Sequence, residues 1–128
     1  MQRFTQLKVW QRAHTLVLEL YRLTEAFPGP ERFGLVSQLR RAGASVATNI
    51  VEGSKRRTSQ DYARFLNIAE GSLAETEYLV LLARDLKYLC PTTSAQLLAE
   101  ASEISRMLHG LRARVEQGPS RQRFPVDC

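Results

Sequence analysis

Proline and glycine cluster where they divide this chain into four long stretches, and that punctuation constrains the fold more than any other feature. "FPGP" at 27–30 closes a first stretch, "EGSKRRTSQD" at 52–61 parts a second from a third, and Pro91 closes the third. No stretch alternates β-branched with polar residues, so strands find no support. The spacing predicts helices over about 5–26, 31–53, 58–89 and 92–116. Thr58 with Asp61 three residues later makes a capping-box-like start, and Thr92 to Ser94 offer another N-cap after Pro91.

Periodicity turns these stretches into a fold. The first presents Trp10, Ala13, Val17, Leu20 and Tyr21 at spacings of three and four, and the fourth does the same with Leu97, Ala101, Ile104, Leu108 and Leu111. Each has one apolar face and a charged back, as bundle helices do. Short connections make neighbours antiparallel. The expected fold is all-α: an up-down-up-down antiparallel four-helix bundle over residues 1–117, with 118–128 as a basic, mostly irregular tail. At 128 residues this is one domain. Trp10, Val46, Ile50, Phe65, Leu79 and Ile104 are expected to be substantially buried.

The third helix carries too much apolar surface for one contact. Leu66, Leu73 and Val80 fall near one edge of its wheel, and Ile68, Leu79, Leu82 and Leu86 run to the other. Together they cover roughly 200°, about twice a single core stripe. One face inside the bundle and another against a second molecule is the reading this implies, with Glu70 and Glu77 facing cations of the neighbour.

Several classes are excluded. The apolar run "YLVLL" at 78–82 is far shorter than the roughly 18 residues that span a bilayer. The N-terminus has no apolar core or cleavage site of a secretory signal, so a cytoplasmic protein is the expectation. Cys90 and Cys128 are too few and too far apart for a disulfide framework; a buried thiol at 90 and a loose tail thiol at 128 are expected. His14 and His109 have no partner at ligand spacing, so neither a metal nor another cofactor is expected.

The stretch "RRAGASVATNIVEGSKRR" at 40–57 concentrates the chemistry. Leu39, Ala42, Val46 and Ile50 form its apolar side, with Gly43 and Ala47 beside them to let another helix approach. Arg41, Asn49 and Glu52 lie on a polar stripe, and Glu75 lies at the margin of the third helix's arc. These four read as a structural polar layer, with Asn49 and Glu75 mostly buried and an arginine near one carboxylate, because an unpaired buried carboxylate costs several kcal/mol. Glu52 with Glu75 as a catalytic pair has no nucleophile, phosphate loop or metal cluster beside it, so no enzyme is expected. From Ser37 to Arg64 six cations stand against Glu52 and Asp61, which is most of the chain's net charge of +5. Such asymmetry suits a polyanionic partner.

Three motifs on this scaffold, Gln38-Leu39-Arg40-Arg41-Ala42, Asn49-Ile50-Val51-Glu52-Gly53 and Ala69-Glu70-Gly71-Ser72-Leu73-Ala74-Glu75, occur in an order that resembles the 23S rRNA intervening-sequence protein family. The likeness runs over roughly residues 7–89. It implies a four-helix bundle assembled into a ring of five, sharing its fold with accessory proteins of diversity-generating retroelements, which associate with nucleic acid and a reverse transcriptase. It implies no catalytic residues.

The functional expectation is a non-enzymatic homo-oligomer, a pentamer by that resemblance, binding RNA or DNA backbone through a basic surface. Arg40, Lys55, Arg56 and Arg57 are the expected phosphate contacts, helped by Arg121 and Arg123 of the tail. The alternative is a scaffold that recruits a polymerase or other protein without touching nucleic acid.

Overall fold

The computed structural model describes residues 3–117. Its helices are α1 (Lys8–Thr24), α2 (Leu35–Ser54), α3 (Ser59–Asp85) and α4 (Pro91–Glu116), with single 3-10 turns at Phe4–Gln6 and Gly29–Glu31 and no strand among the described residues. Each helix lies beside two neighbours in the cycle α1–α2–α3–α4, with α1 diagonal to α3 and α2 diagonal to α4. Cross-contacts run in opposite directions along each pair: Arg12 meets Glu100 while Val9 lies by Met107, and Glu70 meets Arg112 while Ser59 lies by Glu116. Leu20 meets Gly43 and Thr24 meets Arg40; Ser45 meets Ser72 and Gly53 meets Phe65. The bundle is antiparallel.

Its centre is built from residues at helical spacing: Val9, Ala13, Leu16 and Leu20 of α1, Leu39, Val46 and Ile50 of α2, Leu66, Leu73 and Val80 of α3, and Leu97, Ala101, Ile104 and Leu108 of α4. Each buried Leu, Ile or Val stabilises the fold by about 1.5–3 kcal/mol relative to exposure. Leu79 is buried as expected, whereas Trp10 and Phe65 are half-buried. Trp10 stands at the edge of the core, edge-on to Phe4 and stacked on His14 at 5.0 Å. Gly43 permits the close approach of α1, since a Cβ there would stand 2.7 Å from Leu20 Cδ1. The buried hydroxyls of Thr24, Thr76 and Ser94 each donate to the carbonyl four residues back, so no polar group is stranded by their burial.

Helix ends differ from expectation for local reasons. α3 stops at Asp85 because Lys87 adopts φ 67°, with its N–H donating to the Arg84 carbonyl and that of Tyr88 to the Ala83 carbonyl. This is a Schellman closure with lysine where glycine is usual, so composition does not announce it. α4 begins at Pro91, with Cys90 as N-cap. Cys90 is therefore exposed rather than buried, its Sγ 3.2 Å from Thr93 Oγ1. Cys128 lies outside the described residues, as does the expected tail 118–128. Thr58 caps α3 as anticipated, accepting from the Asp61 N–H at 3.0 Å.

Two ion pairs fasten α4 to its neighbours. Arg112 Nε donates to Glu70 at 2.6 Å, so Glu70 is engaged inside the subunit rather than offered to a neighbour. Arg12 grips Glu100 through two bonds of 2.7 and 2.8 Å. The hydrogen bonds from Arg12 hold the Glu100 carboxyl below its ordinary range, against the opposing effect of burial. A carboxyl whose pKa is lower folded than unfolded contributes stability above its unfolded pKa and loses it as pH falls through the folded one. Glu100→Gln is thus expected to destabilise at about pH 7, and the gap from the parent to narrow at about pH 3, read as urea midpoints. A gap that does not change with pH would deny the pair this role.

Candidate nucleic-acid interface

The turn from α2 to α3 is fixed by glycine and packing. A Cβ on Gly53 would stand 2.9 Å from Phe65 Cβ and 3.0 Å from Tyr62 Cδ1, so only glycine lets the two helices meet this closely at their shared end. Lys55 closes α2, its N–H donating to the carbonyls of Glu52 and Gly53, and Thr58 opens α3 three residues later. Lys55, Arg56 and Arg57 occupy this tight link and are all exposed. With Thr58, Gln60, Asp61 and Arg64 they line a surface hollow.

The cations of this hollow differ in how they are held. Arg56 donates Nε to the Glu52 carbonyl at 3.1 Å and lies 5.1 Å from the Phe65 ring centroid. Arg64 lies 4.6 Å from the same ring and pairs with Asp61 at 3.0 Å. Phe65 is half-buried because it carries two guanidinium groups instead of core neighbours. Lys55 and Arg57 have no side-chain partner among the described residues, which leaves their charge available to an incoming anion.

Bundle topology adds cations that sequence order hides. The start of α1, the end of α2, the start of α3 and the end of α4 share one end of the molecule. Lys8 and Arg114 line a second hollow there with Gln6, Val9 and Met107. Arg114 is close enough to Tyr62 to oppose the upward push that burial gives the Tyr62 hydroxyl. Nothing short of the antiparallel order of helices signals that residues 8, 55–57 and 114 share one end of the bundle. Arg121 and Arg123 lie outside the described residues.

Arg40 stands elsewhere. Fifteen residues before Lys55, it is roughly 22 Å away along α2. Its guanidinium donates to Thr24 Oγ1 at 2.9 Å, the Tyr21 carbonyl at 3.1 Å and Glu25 at 3.3 Å, and lies over the Tyr21 ring. Only 24% of its side chain is exposed. Arg40 straps α2 to α1, in contrast to the phosphate contact expected from its charge.

The expected polar layer is also redrawn. Asn49 is half-buried and donates to the Ser45 carbonyl at 2.8 Å and to Ser45 Oγ at 3.1 Å. The hydrogen bond crossing from α2 to α3 joins the hydroxyls of Ser45 and Ser72 at 2.8 Å, a pairing that helical periodicity alone does not reveal. Arg41, Glu52 and Glu75 are exposed, and their side chains have no partner among the described residues. Small residues bring the helices so close that longer side chains are displaced outward. Arg41 and Glu75 then border one hollow with Gln38, Ala44, Ser45 and Thr48.

Among the described residues no three His, Cys, Asp or Glu side chains come together to hold a metal ion. No described helix is long and apolar enough to cross a membrane. Fold and surface define a small antiparallel helical bundle with Lys55, Arg56 and Arg57 exposed on the α2–α3 link. The profile of the 23S rRNA-intervening sequence proteins matches residues 5–110, and the chain belongs to that family. A crystal structure of a protein of unknown function from the S23 ribosomal protein family of Bacteroides thetaiotaomicron shares the fold. Its TM-score is 0.77 at 22% identity, over 83% of this chain and 96% of that one. No curated protein matches the chain.

Proposed function

We propose that the protein is a non-enzymatic, cytoplasmic homo-oligomer that binds the phosphate backbone of RNA or DNA through the basic end of each bundle, with little sequence preference. The observation that carries this reading is the α2–α3 link, where Lys55 and Arg57 stand exposed and unpaired beside Arg56. Lys8 and Arg114 extend the same end. Base stacking has little support, because Phe65, the aromatic ring beside the cluster, already carries Arg56 and Arg64. Phosphate contact positions a strand without reading it. Assembly into the ring of five that the family resemblance implies repeats the cluster around an axis and multiplies weak contacts.

The competing scaffold reading rests on Phe33, which is 90% exposed and suits an apolar protein contact. Salt separates the two. Five phosphate contacts on a single strand predict a slope of log affinity against log salt of about −3.5, or roughly a 100-fold loss between about 50 and 200 mM salt. The measurement is a titration of labelled single-stranded RNA and DNA of unrelated sequences. No binding at low salt, or affinity indifferent to salt, would favour the scaffold.

A further inference from the structure

The exposed large apolar side chains fall into a pattern. Leu18 and Tyr21 belong to α1, Ile68 and Tyr78 to α3, Leu86 caps α3, and Phe33 precedes α2; α2 and α4 carry none among the described residues. Since α1 and α3 are not adjacent helices, they are diagonal in the bundle and their outward faces lie on different sides. Two different apolar faces on one molecule are what a head-to-tail contact between identical copies requires.

The faces also differ in shape. On α3, Ile68, Gly71, Glu75 and Tyr78 follow at helical spacings of three and four. Gly71 is exposed, and a Cβ there would meet nothing within 4 Å. A glycine in a helix interior is unfavourable relative to alanine, and nothing inside this subunit needs it. The exposed Ala74 keeps the same surface low, making a depression. On α1, Leu18 is 57% exposed and Tyr21, held by Arg40 at 4.4 Å from its ring, stands as a fixed aromatic projection.

Charge matches as well. Glu52, Glu75 and Glu77 are the described carboxylates without a partner, and Glu75 borders the hollow between α2 and α3. Arg22 lies one turn beyond Leu18, held by an exposed pair with Glu19 on its own helix. Such pairs contribute little, so Arg22 can exchange Glu19 for a carboxylate of another copy at small cost.

We propose that the α3 face centred on Gly71 and Ile68 receives the Leu18–Tyr21 ridge of α1 from a second copy of this chain. This rests on the homo-oligomeric part of the proposed function and assigns its two contacting surfaces. Filling the depression with Gly71→Gln, or charging the ridge with Leu18→Glu, breaks the contact from opposite sides while leaving each core untouched.

Light scattering at micromolar concentration tests it. The parent is expected as an oligomer and each variant as a monomer, with helicity retained by circular dichroism. Each variant keeps one intact face, so an equimolar mixture is expected to give one-to-one heterodimers and nothing larger. A monomeric parent would overturn the oligomer reading together with this assignment. An oligomeric parent whose variants keep its mass, or whose mixed variants stay monomeric, would overturn the assignment alone.

Discussion

Replacing Ile50 by Ala is expected to lower stability by about 2–5 kcal/mol at fixed protein concentration. Ile50 is 0% exposed and lies in the central cluster with Val46, Leu66 and Ile104. Truncation removes its transfer free energy and leaves a space that flanking helices cannot fill. They are already held at contact distance by Gly43 against Leu20 and Gly53 against Phe65. Part of the destabilisation therefore comes from the cavity. Phe65→Ala is the informative comparison. Its ring is larger, yet half-buried and faced by two arginines, so it is expected to cost less than the 3–5 kcal/mol typical of a core aromatic. Equal costs for the two, measured as denaturant midpoints, would show that Phe65 belongs to the core after all.

That contrast marks how far the sequence could be read. Helix number and order followed from proline, glycine and a 3.6-residue period, because these act locally. Val46, Ile50, Leu79 and Ile104 were legible as core because they sit mid-face on their helices. Margins were not legible. A helical wheel puts Glu75 and Asn49 at the border of an apolar arc but does not say how near the next helix comes, and it puts Phe65 mid-arc although two arginines cover its ring. Here Ser45 and Ser72 bring α2 and α3 together, and Glu75 and Arg41 are left outside. The apolar excess of α3 is likewise partly spent within the subunit: Leu79 is buried and Leu82 half-buried, while Ile68 and Leu86 remain exposed.

Which cations stand exposed was half legible for a related reason. Charge density located Lys55–Arg57, since those residues are consecutive. The same argument misplaced Arg40, whose long side chain reaches back to α1 and satisfies its donors on Thr24, Tyr21 and Glu25. It also overlooked Lys8 and Arg114, which only the antiparallel topology brings to the same end. Composition counts charges; hydrogen bonds decide which of them remain free.

Changing Lys55, Arg56 and Arg57 together to Ala is expected to reduce the salt slope for single strands by about 2, near 0.7 for each phosphate that is no longer neutralised. Affinity at low salt should fall for every sequence alike, because backbone contacts carry no sequence information. Assembly enlarges the effect: linked clusters raise avidity by roughly 10²–10⁴-fold where geometry lets them engage together, and that gain disappears when each cluster is weakened. The fold should survive, since all three side chains are exposed and Arg56 alone gives up a hydrogen bond, worth about 1 kcal/mol. Arg40→Ala provides the opposite signature. It should lower thermal stability by detaching α2 from Thr24 and Glu25, and leave the salt slope unchanged, because its guanidinium is already committed inside the subunit. If the triple variant binds as its parent does, the α2–α3 link is a solvated turn and contact with nucleic acid is not its role. If Arg40→Ala instead changes the slope, the strap to α1 opens in solution and its charge belongs to the binding surface.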